Sequence, residues 1–348
     1  MAKVGIAYDL IRLEEVQGLP LDCMAELDSE ETIQAVAQAL EVGGHEVILL
    51  EADEQFPERL NSTRPDIVFN IAEGIHGECR EALVPAMCEF FGIPYTGSGV
   101  LTLSLSLNKA RANDILNCQG VLVPPYQVFY SSHDKLKLSC GFPLIVKLLH
   151  EGSSMGLSRK SVVKDDVELR DQVQYLIDTY HQPALVQKFI QGREFTVGVL
   201  GNDHQNTLPI TEIVFNDPYG IVTFCPDEEM FSMVEQARGE QFLKEFKSQV
   251  VPKKVICPAQ VSSELAERIN QTVVHAFIAL ECRDWGRVDM RMDEKGKLYV
   301  LELNPIAGIA PGYWLPNSAA VAGLDYPAFI NRILDIAWER VQAGYAAC

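Results

Sequence analysis

The run from Gly286 to Gly308, GRVDMRMDEKGKLYVLELNPIAG, constrains the fold more than any other stretch. Charged and apolar residues alternate along it, the period of a strand with one face on a core. Arg287, Asp289 and Arg291 share one face; Val288, Met290 and Met292 share the other. A turn at 293–297, with Lys295 and Gly296 at its tip, brings the chain back as a second strand. There Val300, Glu302 and Asn304 are expected on one face, with Leu301 and Leu303 pointing away. A two-residue turn at Lys295-Gly296 sets Asp289 opposite Glu302 and Arg287 opposite Asn304; a longer turn shifts that pairing. Two carboxylates and an amide oxygen at cross-strand distance suit Mg²⁺ or Mn²⁺, which takes few oxygens from protein and completes its shell with water and phosphate. The competing reading is a solvated hairpin face of weak ion pairs.

A chain of 348 residues is long enough for two or three domains. A net charge of −19 argues against a nucleic-acid partner. No apolar run reaches membrane-spanning length, and MAKVGIAYDL lacks a signal-peptide layout. Nine scattered cysteines without a CxxC pair read as reduced thiols, so a cytoplasmic location is expected. The seven scattered histidines give no zinc spacing.

Lys3 to Tyr8 reads as a strand, Ser29 as the N-cap of a helix ended by Gly43-Gly44, and His45 to Leu50 as the next strand, which together make a βαβ unit. Residues 9–28 form a long acidic connection, a length that favours function. Asp66 to Asn70 is a third strand. Glu73, His76 and Glu78 then fall in the loop leaving its carboxyl end, where open α/β sheets bind ligands. A loop histidine satisfied by a carbonyl is the plain alternative for His76. Helices are expected at 81–91 and 100–117, the second carrying Lys109, with a short strand at 93–96. Pro124-Pro125 marks a boundary.

Lys147 sits near the end of the strand Gly141 to Leu148, and HEGSSMGLS follows. Successive backbone N–H groups there, with the Ser153 and Ser154 hydroxyls, can wrap phosphate oxygens. Neither G-x-x-x-x-G-K-[ST] nor G-x-G-x-x-G is present. A flexible hairpin would look the same. Residues 162–180 read as an acidic helix, and 184–201 as strand, turn and strand. Glu194 stands at the turn exit, where a buried acid could accept ribose hydroxyls. Residues 217–250 read as an insertion or lid, 262–281 as an amphipathic helix, and 326–341 as a C-terminal helix.

Several segments together resemble one family: GIPYTGSGVLTLSLSLNK, FPLIVKLLHEGSSMG, FIQGREFTVGVLG, WGRVDMRMDEKGKLYVLELNP and LPNSAAVAGLDY. In this order they resemble the D-alanine–D-alanine ligases of the ATP-grasp superfamily, over roughly residues 66 to 335. The resemblance implies an α/β and α+β chain of three domains: 1–123 for substrate, 124–202 as the central lobe, and 203–348 as the C-terminal lobe, with ATP between the two lobes. It implies nucleotide contacts from Lys109, Lys147, Gln187, Lys188, Phe189, Ile190 and Glu194. Glu151, Gly152, Ser153, Ser154, Met155 and Gly156 resemble the phosphate-covering loop. Asp289, Glu302 and Asn304 match the Mg²⁺ ligands, and Arg287 with Gly308 the groups that stabilise the acyl-transfer intermediate. His76 falls in the equivalent of an HG-x-x-GE loop.

Departures from the family pattern bear on substrate. The glutamate that holds the first substrate's amino group is not visible, and Glu14, Glu15, Asp28, Glu30 and Glu31 all stand as replacements. Tyr313 and Trp314 occupy the place of a serine that clamps the second substrate's carboxylate, and Gln187 replaces an acid. ATP machinery retained beside altered substrate contacts implies an ADP-forming C–N ligase for something other than two D-alanines. One relative of that kind joins an amino acid to the cyclohexenone of mycosporine-glycine. The expected partners are therefore an amino acid plus an acid or ring-ketone acceptor. Alternatives are an authentic D-alanine–D-alanine ligase, an ATP-binding module without activity, and a kinase that stops at phosphoryl transfer. The oligomeric state stays open, a homodimer among the options.

Overall fold

The computed structural model describes residues 1–11, 20–202, 206–224 and 253–344. The positions expected at Glu14 and Glu15, and the 225–250 part of the expected lid, lie outside them.

Three sheets organise the chain. The first is parallel, in the order β2-β1-β3, and is built from β1 (Lys3–Tyr8), β2 (Glu46–Glu51) and β3 (Ile67–Asn70). Helix α1 (Glu30–Val42) joins the first two of these strands. Its start is fixed as expected: the Ser29 side chain accepts from the Thr32 N–H, one of the donors a helix start leaves without an internal partner. Helices α2 (Phe56–Thr63) and α3 (Leu83–Phe91) cover one face of the sheet. The 93–96 segment contributes only a single bridge, Val68 to Tyr95.

The helix expected over 100–117 is two helices, α4 (Val100–Leu107) and α5 (Lys109–Cys118). They break at Asn108, whose ψ of 95° is extended and whose side chain caps α5 by accepting from the Arg111 N–H. Asparagine competes for backbone donors in this way, so it starts helices better than it continues them. The break sets Lys109 in the first turn of α5 and lets its N–H bond the Leu149 carbonyl.

The second sheet is antiparallel, in the order β4-β7-β5-β6. It comprises β4 (Tyr126–Phe129), β5 (Leu144–Leu148), β6 (Val162–Val163) and β7 (Ala184–Lys188), backed by α6 (Asp166–Tyr180). Val162 and Val163, expected to be helical, form the edge strand instead, where β-branched side chains pack well.

The third sheet runs β11-β10-β8-β12-β13, with β9 on β8. Its strands are β8 (Arg193–Leu200), β9 (Asn206–Thr207), β10 (Thr211–Phe215), β11 (Lys253–Ile256), β12 (Trp285–Met292) and β13 (Leu298–Asn304). Helix α7 (Ser263–Ala279) packs Ile269, Val273, Ala276 and Phe277 against it. Strand β8 pairs with β12 inside this sheet, although the expected boundary at 202 grouped it with the second. Gly192 makes that change of sheet possible. At its φ of +140° a β-carbon would lie 2.0 Å from the Met292 carbonyl oxygen.

Helices α8 (Trp314–Val321) and α9 (Tyr326–Gln342) return to the first sheet, where Phe329, Ile330 and Ile333 share a core with Val4, Ile6 and Val36. The fully buried Asp284 ties these parts together by accepting two hydrogen bonds from Arg340, at 2.8 Å each, and one from the Gly97 N–H. Among the described residues no helix is long and apolar enough to cross a membrane.

Candidate active site

The β12–β13 hairpin places Arg287 opposite Asn304 and Asp289 opposite Glu302, the expected pairs. They arise by a different route. Beyond Asp289 the register shifts by one, so that Met290 faces Val300 and Met292 faces Leu298. The connection is therefore a five-residue turn, and a bulge at Leu301 restores the pairing. The bulge also reassigns faces. Val300 is fully buried in the core beneath the hairpin, contrary to its expected place beside Glu302, and Leu301 lines the cavity with Glu302.

Asp289 is a heavily engaged carboxylate. The Arg287 guanidinium donates to both its oxygens, at 3.0 and 2.9 Å, and Asn304 Nδ2 donates at 3.0 Å. The register of β8 against β12 sets Thr196 beside it, and the Thr196 hydroxyl donates as well. Asn304 donates one hydrogen bond to Asp289 through Nδ2, which leaves its carbonyl oxygen available. Glu302 is less tied, with Lys109 Nζ 3.8 Å away. Two carboxylates in register and a neighbouring amide oxygen fit Mg²⁺, whose remaining positions would take water and phosphate. Among the described residues no group of three His, Cys, Asp or Glu is arranged to hold a metal ion, so a site on this hairpin would draw on the amide oxygen as well.

A cavity of about 370 Å³ lies between the second and third sheets. Lys147, Gln187, Phe189, Ile190 and Glu194 line it, and Asp289 and Glu302 form its wall on the hairpin side. Lys147 is 8% exposed. Burial lowers its ammonium to about 8, against the pull of Glu302. Glu194 pairs with Arg291 at 2.6 Å, and burial still raises its carboxyl above the ordinary range. Arg291 also bonds the Ile190 carbonyl and stacks 4.7 Å from the Phe189 ring centre. Gln187 is turned towards the Pro124 carbonyl at 3.5 Å, and Lys188 Nζ bonds the carbonyls of Gly141 and Phe142.

The loop 150–158 borders this cavity through Glu151, Gly152, Ser153, Ser154 and Met155. Ser153 and Ser154 both adopt positive φ, +45° and +63°, a backbone conformation in which neighbouring N–H groups can form an anion-binding concavity. Lys109 Nζ bonds the Glu151 carbonyl. Two loop amides are held by acids that the sequence reading did not single out: Gly152 donates to Glu26 at 2.7 Å, and Gly156 to Asp22 at 2.8 Å. Arg80, also missed, bonds Glu26 and Glu151 together.

A smaller cavity, about 110 Å³, opens beside the first. Lys109, Arg287, Glu302, Gly308 and Tyr313 line both. Glu26, Asp28, Glu73 and Glu81 line the smaller one. Of the acids offered for the N-terminal position, Asp28 lies here, and Glu30 and Glu31 are exposed on the first turn of α1. His76 is exposed and lines neither cavity. The Tyr313 ring lies over Gly308, where a β-carbon would be 2.7 Å from it, and the Arg287 guanidinium sits 5.4 Å from the Trp314 ring centre.

Two antiparallel sheets that close on a cleft, with a lysine strand and a small-residue loop on one side and a carboxylate hairpin on the other, define an ATP-grasp fold. The D-ala D-ala ligase C-terminus family model matches residues 115–335. The uncharacterized protein y4sG of Sinorhizobium fredii is 34% identical over 317 residues, covering 88% of this chain and 87% of its own. The D-alanine–D-alanine ligase of Desulfotalea psychrophila is 31% identical over 281 residues, 79% of each chain. The Bacillus anthracis D-alanine–D-alanine ligase complexed with ATP superposes with a TM-score of 0.71 at 22% identity, over 99% of this chain and 100% of that one. The chain belongs to the D-alanine–D-alanine ligase family, a family of ADP-forming carbon–nitrogen ligases.

Proposed function

We propose that this ligase uses ATP to activate an acceptor oxygen and condenses the activated acceptor with an amino acid, and that its substrates are not two D-alanines. One observation carries the reading: Lys109, Arg287, Glu302 and Gly308 form a wall common to both cavities, so a nucleotide in one and a substrate in the other would meet there. Lys147 and Lys109 supply positive charge to the phosphates, and Glu194 accepts from the ribose. Mg²⁺ held by Asp289, Glu302 and Asn304 would neutralise the charge that develops during phosphoryl transfer. The acceptor oxygen forms a bond to the γ-phosphorus as the bond to ADP breaks. The amine then attacks the acceptor carbon, loses a proton, and expels phosphate while Arg287 and the Gly308 N–H stabilise the oxyanion. The loop around Ser153 and Ser154 keeps water from the phosphorylated acceptor.

The substrate part rests on Tyr313, whose ring covers Gly308 at the shared wall and leaves little room for the serine-type clamp of the family. Nothing in the cavity is particular to the cyclohexenone of mycosporine-glycine, so the reading stops at a substrate pair other than two D-alanines. The relatives that are D-alanine–D-alanine ligases favour the second reading, an authentic ligase of that kind. Free cysteines throughout the described residues fit a cytosolic site of action.

An ADP-release screen separates the two readings. Amino acids are supplied singly and in pairs with carboxylate or ring-ketone acceptors, beside D-alanine alone. ADP release is expected to require a pair other than D-alanine, and Tyr313→Ser is expected to move that preference. Rapid formation of D-alanyl-D-alanine from D-alanine alone would overturn the substrate reading.

A further inference from the structure

We propose that the smaller cavity receives an amino acid that carries a second cationic group on its side chain, an amine or guanidinium, recognised by Glu73, Glu81 and Asp28. This rests on the ligase reading above, in which one substrate occupies that cavity.

Charge matching is the starting point. The cations of the site are already committed: Arg80 to Glu26 and Glu151 at 2.5 and 2.7 Å, Arg287 to Asp289 at 2.9 Å, and Lys109 to Glu302 at 3.8 Å. Among the described residues none of them comes within ion-pair distance of Glu73, Glu81 or Asp28. Glu81 is only 7% exposed, and among the described residues its carboxylate has no hydrogen-bond partner. A carboxylate so placed is costly unless something pairs with it. Burial and the neighbouring acids accordingly raise Glu81 to about 8, and push Glu73 and Asp28 well above the carboxylate range.

A second observation comes from outside the acids. Ser106, on α4, lines the same cavity at 8% exposure, and its hydroxyl has no partner. Buried hydroxyls are rarely left in that state, and a ligand group in the cavity would satisfy this one. Among the described residues no hydrogen bond links the three acids to each other.

The count of charges then selects the ligand. A neutral-side-chain amino acid offers a single ammonium, which can pair with one of these raised acids and draw it back to its charged form. A diamino acid, or one with a guanidinium, brings a second cation that can pair with another of them. Without such a ligand Glu73 and Glu81 have the attraction of Arg80, and Asp28 one hydrogen bond from the Asp9 N–H at 3.3 Å, against the cost of their burial.

Calorimetry on the full chain with Mg²⁺ and a non-hydrolysable ATP analogue tests this, with both enantiomers of lysine, ornithine and arginine compared against norleucine. At least one basic amino acid is expected to bind about tenfold or more tighter than norleucine, and Glu81→Gln and Glu73→Gln are each expected to cut that preference about tenfold. Replacing a buried carboxylate by its amide removes a disfavoured charge without changing shape, and a thermal midpoint checks that the variants are folded. Norleucine bound as tightly as every basic amino acid, no basic amino acid bound at all, or a preference that both variants retain would each overturn the proposal. ADP release that depends on no acceptor would sink the ligase reading instead, and would leave this binding comparison readable.

Discussion

Asp289→Asn is expected to lower the turnover of ADP release by about a thousandfold, the scale of losing a group that stabilises charge in phosphoryl or acyl transfer. Asp289 serves two ends at once. It faces Glu302 across the hairpin, and it anchors Arg287 through two hydrogen bonds. The substitution therefore removes a metal ligand and leaves a buried guanidinium without its counter-charge, which costs about 3 kcal/mol of stability. Glu302→Gln separates these effects. The Glu302 side chain is 29% exposed and its ion-pair partner Lys109 stands 3.8 Å away, so its loss should reduce turnover to a similar degree with a smaller change in urea midpoint. If Glu302→Gln retained turnover within about tenfold of the parent, the hairpin would not be the metal site.

Lys147→Met is the second large effect, and activity and stability should move in opposite directions. Lys147 is pressed to about 8 by burial, below the 10.5 of a free lysine. A lowered lysine binds fewer protons in the folded protein than in the unfolded one between those two values, so stability rises with pH across that window. Below about pH 8 the buried charge carries its full cost, about 3 kcal/mol as an upper figure. The Met variant fills the same space without that charge. Its ligand-free form is expected to melt higher than the parent at pH 7, and the gain should shrink as pH climbs towards 10. Turnover should fall by about a hundredfold or more, because a cation facing the phosphates is gone. A variant that melts lower at pH 7, or that turns over normally, would contradict this placement of Lys147.

Much of the site was legible because its signals are local. Alternation alone placed Arg287, Asp289 and Arg291 on one face, and the Gly/Ser composition of 150–158 announced a loop, which borders the larger cavity. The Leu301 bulge was not legible. The expected pairs of Asp289 and Arg287 were right because a longer turn and one extra residue cancel, and the face assigned to Val300 was wrong for the same reason. Asn108 was read as part of a helix because nothing in the apolar spacing of 100–117 records its side chain's competition for a backbone donor.

The contacts around Arg80 were out of reach for another reason. Arg80 meets Glu26 across 54 residues of sequence, Gly152 meets Glu26 across 126, and Gly156 meets Asp22 across 134. No periodicity spans such distances, and charged residues in an acidic connection look alike until the chain folds. His76 shows the reverse error. Its loop leaves the carboxyl end of β3 as ligand loops do, yet Glu73 lines the smaller cavity while His76 and Glu78 are exposed.

The central claim is that one β-hairpin gathers oxygen atoms around a divalent cation beside a nucleotide's terminal phosphates. Anomalous diffraction from a crystal grown with Mn²⁺ and a non-hydrolysable ATP analogue measures this directly. The claim requires an anomalous peak within bonding distance of Asp289, Glu302 and Asn304, with the triphosphate between it and Lys147. A triphosphate bound elsewhere, or one bound there with no anomalous peak at the hairpin, would contradict it.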